Sequence, residues 1–222
     1  MPSTTSEAQA IQQMRNAIDP VKFADIKNRY QHIDPNPGFS KFVDLDTFLP
    51  MTYMHFRYAG LENVKTPLDI LDLGTGAGYF PLLCRLQGHQ VHSTDLPFTA
   101  DIPATHFYQE MMELLNIPCT GYRIERFTPM PSFGQRFDLI TGFSVVFNNH
   151  GTPQPWGPEE WDFFINDLRA THAKPNARLV VRLNRDPPQG GPFFTAALLD
   201  YFLSQQQAAI AGHRQDVVRI QL

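Results

Sequence analysis

The stretch 68–97, LDILDLGTGAGYFPLLCRLQGHQVHSTDLP, constrains the fold more than any other part of the chain. An apolar, β-favouring run at 70–73 leads into Gly74, Gly76 and Gly78, and an apolar helical pattern follows through Leu82, Leu83 and Leu86. The order predicted is strand, tight turn, helix. Gly88 then breaks the helix, a second strand begins near Gln90, and Asp95 ends it as a lone carboxylate. Glycines at a strand-to-helix turn let backbone approach a ligand closely, and the helix N-terminus offers unpaired N–H groups beside it. A carboxylate at the end of the second strand can hold a ribose diol. The unit therefore reads as a nucleoside-binding βαβ half.

On either side of this unit the pattern differs. Before it, three helices are expected. The first carries Ile11, Met14 and Ile18. The second is opened by Asp19 and Pro20 as N-cap and N1, and carries Val21, Ile26 and Tyr30. The third starts near Asp46 or Thr47, runs through Met51, Met54 and Tyr58, and stops at Gly60. The segment 34–40 reads as a loop. After the glycine unit, strand and helix keep alternating. Helices are expected at 105–116, from Gly157 and Pro158 onward, and at 193–207; strands are expected at 121–127, 136–146, 178–184 and 217–222. In the helix opened by Gly157, Glu159 and Glu160 sit in the first turn, and Trp161, Phe164, Ile165 and Leu168 form its buried face. Such alternation argues for an α/β fold with a mostly parallel sheet covered on both faces. Two parts are expected: an N-terminal helical cap over 1–62 and a main domain over 63–222.

Composition excludes several classes. The 222 residues hold 42% hydrophobic and 18% charged side chains, and the net charge of −4 comes without a basic block, so binding to nucleic-acid backbone is disfavoured. The two cysteines, Cys84 and Cys119, make no disulfide framework and fit a reducing cytoplasm. The N-terminal residues lack a basic and then apolar signal pattern, and no apolar run is long enough to span a membrane. The expected setting is cytoplasmic. Neither a Cys/His ligand cluster nor an HExxH motif occurs, so no metal site is expected.

Two nucleotide classes lose at the glycine turn. A dinucleotide fingerprint needs glycine or alanine where Tyr79 stands, and a phosphate-binding loop needs a Gly-Lys-Ser/Thr ending that this chain lacks. What is present is Asp72-x-Gly74-x-Gly76-x-Gly78, followed by Asp95 and by Phe137-Asp138-Leu139-Ile140 opening the fourth strand. Over about 67–184 this resembles the class I S-adenosylmethionine-dependent methyltransferases. The resemblance implies a three-layer αβα Rossmann-like methyltransferase sheet with S-adenosylmethionine as cofactor and S-adenosylhomocysteine as product. It also implies a cofactor site made by Asp72, Gly74, Thr75, Gly76, Gly78, Asp95 and Leu96, with Phe143 beside the methionine moiety. At the end of strand three, where relatives place an adenine-binding Asp, this chain has Glu125. The cofactor has no phosphate, so a loop without lysine suits it. Its ammonium calls for a carboxylate such as Asp72, and its ribose for Asp95. Tyr79, Phe80 or Phe143 could face the sulfonium.

Methyl transfer relies largely on alignment, so few catalytic groups are needed. His150, in the loop after strand four, is the candidate base, with Asn149 and Asn148 orienting the acceptor; a solvent-facing histidine beside turn-forming asparagines is the alternative. The Asp that metal-dependent O-methyltransferases carry at the end of strand four is replaced by Gly142-Phe143. The Asn-Pro-Pro-aromatic signature of amino methyltransferases is replaced by Phe147-Asn148-Asn149-His150. These departures point to O-methylation of a small molecule, a sugar or secondary metabolite. The alternatives are a non-catalytic regulatory protein that binds the cofactor, or an NAD-dependent oxidoreductase. Relatives end in an antiparallel hairpin, whereas only 217–222 reads as strand here. A missing strand would expose a sheet edge, and a homodimer is the hypothesis that follows.

Overall fold

The computed structural model describes residues 6–31, 40–97, 103–145, 147, 155–183, 195–212 and 216–222. In chain order the elements are α1 (Glu7–Ala17), α2 (Pro20–Tyr30), α3 (Leu45–Tyr58), β1 (Asp69–Leu73), α4 (Tyr79–Leu86), β2 (Gln90–Asp95), α5 (Pro103–Leu114), β3 (Cys119–Gly121), β4 (Phe137–Val145), α6 (Pro158–Asp167), β5 (Ala173–Leu183), α7 (Ala196–Ser204), β6 (Ala209–Ala211) and β7 (Val217–Gln221). The strands hydrogen-bond in the order β3-β2-β1-β4-β5-β7-β6. The pairs β2–β3, β1–β4 and β4–β5 are parallel, while β7 runs antiparallel to both β5 and β6. Among the described residues no helix is long and apolar enough to cross a membrane.

The chain packs as two compact units, Met1–Pro67 with Thr75–Tyr122, and Leu68–Gly74 with Arg123–Leu222. In the first, the helices begin where side-chain caps satisfy their leading N–H groups. Ser6 and Gln9 form a capping box on α1, Asp19 accepts from Val21 and Lys22 on α2, and Asp44 accepts from Asp46 and Thr47 on α3. The expected punctuation at Asp19-Pro20 and at Gly60 (φ 70°) is observed. The buried faces differ in detail from the expected stripes. Ala10 joins Met14 and Ile18 in place of Ile11, and Phe23 joins Ile26 in place of Val21, which is 78% exposed. Helices α1 and α3 pack on α4, and α2 packs on α5. Tyr79 and Phe80 are buried, and the Tyr79 hydroxyl donates to the Phe42 carbonyl at 2.7 Å, so both rings are part of the core.

Strand β3 stops at Gly121 rather than continuing to 127. Its partner β2 ends at Asp95, whose carbonyl takes one last bond from the Tyr122 N–H.

In the second unit, α6 buries Trp161, Phe164, Ile165 and Leu168, as its pattern predicts. The Trp161 ring lies 4.5 Å from that of Phe147 and 5.1 Å from that of Phe202 on α7. Edge and tilted contacts of this kind add about 0.5–1.5 kcal/mol each beyond area burial. The helix runs on as a π-turn to His172, whose last carbonyls Arg136 receives: its guanidinium donates to Ala170 and Ala173 at 2.5 and 2.7 Å. Strand β5 starts at Ala173, ahead of the expected 178. Ala173 pairs with Phe137 and Arg178 with Leu139, so 174–177 bulge out of the ladder, with Asn176 at φ 65°. Pro175 and Asn176 thus mark a bulge inside a strand, not a helix end.

At the start of β1 and β4, Lys174 Nζ donates to Asp69 at 2.5 Å and Asp138 at 2.9 Å, and Asp138 also accepts from the Asp69 N–H. Asp138, part of the sequence signature, is a clamp on strand ends. Finally, the terminal hairpin is complete. The segment Ala209–Ala211 pairs with β7, although Ala-Ile-Ala is too short to carry a strand signature. The exposed-edge argument for a homodimer therefore loses its premise.

Burial pushes the imidazole of His172 below its usual value, with Asp167 opposing, and burial also lowers His89 and His92. A histidine whose folded pKa is depressed binds its proton more readily when unfolded, so its contribution is present above the unfolded value and is lost as pH falls below about 6.5. The melting temperature is expected to fall between pH 7.5 and 5.5. His172→Leu should flatten that profile; an unchanged slope would remove His172 from it.

Candidate functional site

The glycine turn begins where β1 ends. Gly74 adopts φ 67°, and a Cβ placed there would meet Val145 Cγ2 at 2.6 Å. The turn needs glycine both for the left-handed backbone and for the approach of β4. Within the same unit, Asp72 is only 3% exposed and lies opposite Thr141 in the β1–β4 register. The Thr141 hydroxyl donates to Asp72 Oδ1 at 2.7 Å, which fixes one face of the carboxylate. The sequence marks Thr141 only by a lone hydroxyl within LITGF.

Further along β4, Ser144 sits at φ 63° where the β4–β5 register shifts between Phe143 and Val145. Such a bulge re-aims neighbouring side chains. Phe143 is half-buried and lies across from Arg182, whose Nε donates to the 2%-exposed Asp216 at 2.8 Å.

The other half of the turn belongs to the first unit. Thr75 N–H donates to the Thr94 carbonyl at 3.0 Å, and Gly78 closes the turn as the N-cap of α4. Gly76 N–H donates to Asp95 Oδ2 at 2.5 Å, and Leu96 N–H to Oδ1 at 2.7 Å. The structure thus joins three predicted residues, Gly76, Asp95 and Leu96, around one carboxylate. Each carboxylate oxygen keeps a lone pair for a further donor. Burial pushes the Asp95 carboxyl above its ordinary value, and the two amides pull it back only in part. A carboxylate raised by burial beside a glycine turn is a candidate binding group. Tyr108 of α5 flanks it: its Cε1 would lie 3.9 Å from a Cβ on Gly76, and burial, then the charge of Asp95, drive its phenol far up. The sequence stripe of α5 marks Phe107 and Met111 and passes over Tyr108.

Glu125 does not lie at a strand end. Because β3 stops at Gly121, Glu125 falls in an exposed position beyond it. Its neighbour Arg126 has a clear role, pairing with Glu160 at 3.1 Å and donating to the Pro155 carbonyl at 3.0 Å. Trp156 N–H donates to the Phe147 carbonyl, so the described residues flanking 148–154 are tied together at their base. His150, Asn148 and Asn149 lie outside the described residues.

The fold is similar to that of a solved structure. An O-methyltransferase by provisional assignment, from Nostoc punctiforme PCC 73102, aligns over 98% of this chain and 72% of its own, with 14% identity and a TM-score of 0.51. The chain has the class I methyltransferase fold. Weaker likenesses include a protein of Pyrococcus horikoshii OT3 (14% identity, TM-score 0.46, 70% of this chain and 65% of that one). Another is the CcbJ methyltransferase of Streptomyces caelestis (14% identity, TM-score 0.41, 59% and 48%). The chain spans about half to two thirds of the length of these two proteins. No family model and no curated protein matches the sequence. Within this methyltransferase fold, Asp95 stands at the C-terminal end of β2 and the glycine turn at that of β1, the strand ends where open α/β sheets hold their ligands.

Proposed function

We propose that this chain is an S-adenosylmethionine-dependent methyltransferase that methylates an oxygen of a small-molecule acceptor, a sugar or secondary metabolite, in the cytoplasm. One observation carries the reading: Asp95, held by the Gly76 and Leu96 amides, keeps acceptor capacity on both oxygens beside a lysine-free glycine turn. That pairing suits a nucleoside with a free ribose diol and no phosphate. In this reading Asp95 takes the ribose hydroxyls. Gly74, Thr75, Gly76 and Gly78 let the ligand approach the backbone, Asp72 serves the ammonium directly or through water, and Phe143 lies near the methionine moiety. The segment 1–62 acts as a cap on the cofactor-binding domain 63–222. The bound cofactor supplies an electrophilic methyl group; the protein's part is alignment of the acceptor and removal of its proton. His150 is the proposed base, with Asn149 orienting the acceptor.

Calorimetry tests the cofactor assignment. S-adenosylhomocysteine should bind and NAD should not; the reverse result would restore the oxidoreductase. Turnover then separates an enzyme from a regulatory binder, through release of S-adenosylhomocysteine from S-adenosylmethionine with a panel of hydroxylated acceptors. His150→Ala should lower turnover by roughly 10²-fold with cofactor affinity unchanged. Unaltered turnover would take His150 out of the reaction.

A further inference from the structure

Resting on the proposed cofactor, we propose that Tyr108 is a nucleoside-binding residue and that Phe42, from the segment preceding the glycine turn, holds its ring in place. The two residues do not belong to the βαβ unit that the motif defines. Phe42 lies in a short 3₁₀ turn, Ser40–Val43, just ahead of α3, and Tyr108 lies on α5. Their rings meet edge to face with centroids 5.4 Å apart. Phe107 packs on both, at 6.0 Å from Phe42 and 5.7 Å from Tyr108.

Phe42 is itself fixed from two sides. Its carbonyl accepts the buried Tyr79 hydroxyl at 2.7 Å, and its ring lies 4.7 Å from that of Phe48. Tyr79 is the first residue of α4, so Phe42 is anchored directly to the helix that follows the glycine turn. The result is a chain of aromatic contacts ending at Tyr108.

What Tyr108 faces gives this chain its function. Its Cε1 approaches the space over Gly76, the glycine whose N–H holds Asp95 Oδ2. The residue is partly exposed. An aromatic ring there suits a nucleoside whose ribose diol is bound by Asp95, since rings pack on rings and a phenol can donate to a hydroxyl. Next to Gly78 the nearest side chains are apolar: Met112 of α5, with Leu115 and Ile117 just beyond the helix. Tyr108 is where that helix turns from packing to ligand contact.

The test uses the full chain, with S-adenosylhomocysteine and adenosine as probes in calorimetry. Tyr108→Ala should weaken both by the same factor, about tenfold, because the ring serves the nucleoside and not the amino-acid half. Tyr108→Phe keeps the ring and should retain most of the affinity. Phe42→Leu should weaken both probes by about threefold through loss of ring placement. Equal or tighter binding by Tyr108→Ala, with an unchanged melting temperature, would overturn the proposal while leaving the cofactor assignment standing. Loss of S-adenosylhomocysteine binding with adenosine binding intact would overturn it too, since the defect would then lie at the other end. If the wild-type chain binds neither probe, the cofactor assignment itself fails, and this proposal with it.

Discussion

Asp95→Asn is expected to weaken S-adenosylhomocysteine binding by at least about 10²-fold, since two charge-assisted hydrogen bonds contribute roughly 1.5–3 kcal/mol each. The carboxylate is held by two backbone amides, Gly76 on one oxygen and Leu96 on the other, and both oxygens have capacity left. An asparagine has one oxygen, so its amide NH₂ would confront one of those N–H groups and leave a single acceptor for the ribose. Acidification of the wild-type chain should show the same dependence. Binding needs the ionised form, and burial raises the pKa of this carboxyl, so affinity is lost as pH falls through a value above the ordinary aspartate range of about 3.9. The asparagine variant should lack that pH dependence. Wild-type affinity in Asp95→Asn, measured by calorimetry near neutral pH, would remove the ribose role.

Gly74→Ala should destabilise the protein by about 2–5 kcal/mol, from two separate causes. An L-residue at φ 67° is strained by about 1–2 kcal/mol. The added methyl also meets Val145 Cγ2 at 2.6 Å, a distance no packed pair tolerates, and Val145 is poorly free to retreat because it follows the Ser144 bulge in β4. Pairing Gly74→Ala with Val145→Ala, measured against Val145→Ala alone in urea, should recover the steric part and leave the backbone part. A single variant within about 0.5 kcal/mol of wild type would show that the turn does not need this glycine.

Particular residues explain how far the sequence could be read. Helix starts were legible at Asp19 and Gly157 because caps act within three or four residues. The glycine turn and Asp95 were legible because a left-handed turn and a lone carboxylate at a strand end leave few chemical alternatives. Strand limits were less legible. Strand β3 is short because β2 ends, β5 begins early through a bulge at 174–177, and β6 exists only because β7 offers it a partner. Hydrogen-bonding partners decide each of these, and partners lie far away in sequence.

The sequence by itself determined the βαβ unit, the α/β alternation and the place of a lone carboxylate at the end of β2, since each rests on local conformational preference or on one residue's chemistry. Only the tertiary structure decided that Asp72 takes a hydroxyl from Thr141, that Asp138 clamps strand ends with Lys174, and that Tyr108 stands beside Asp95. Those pairings join residues distant in the chain, and packing, not periodicity, brings them together.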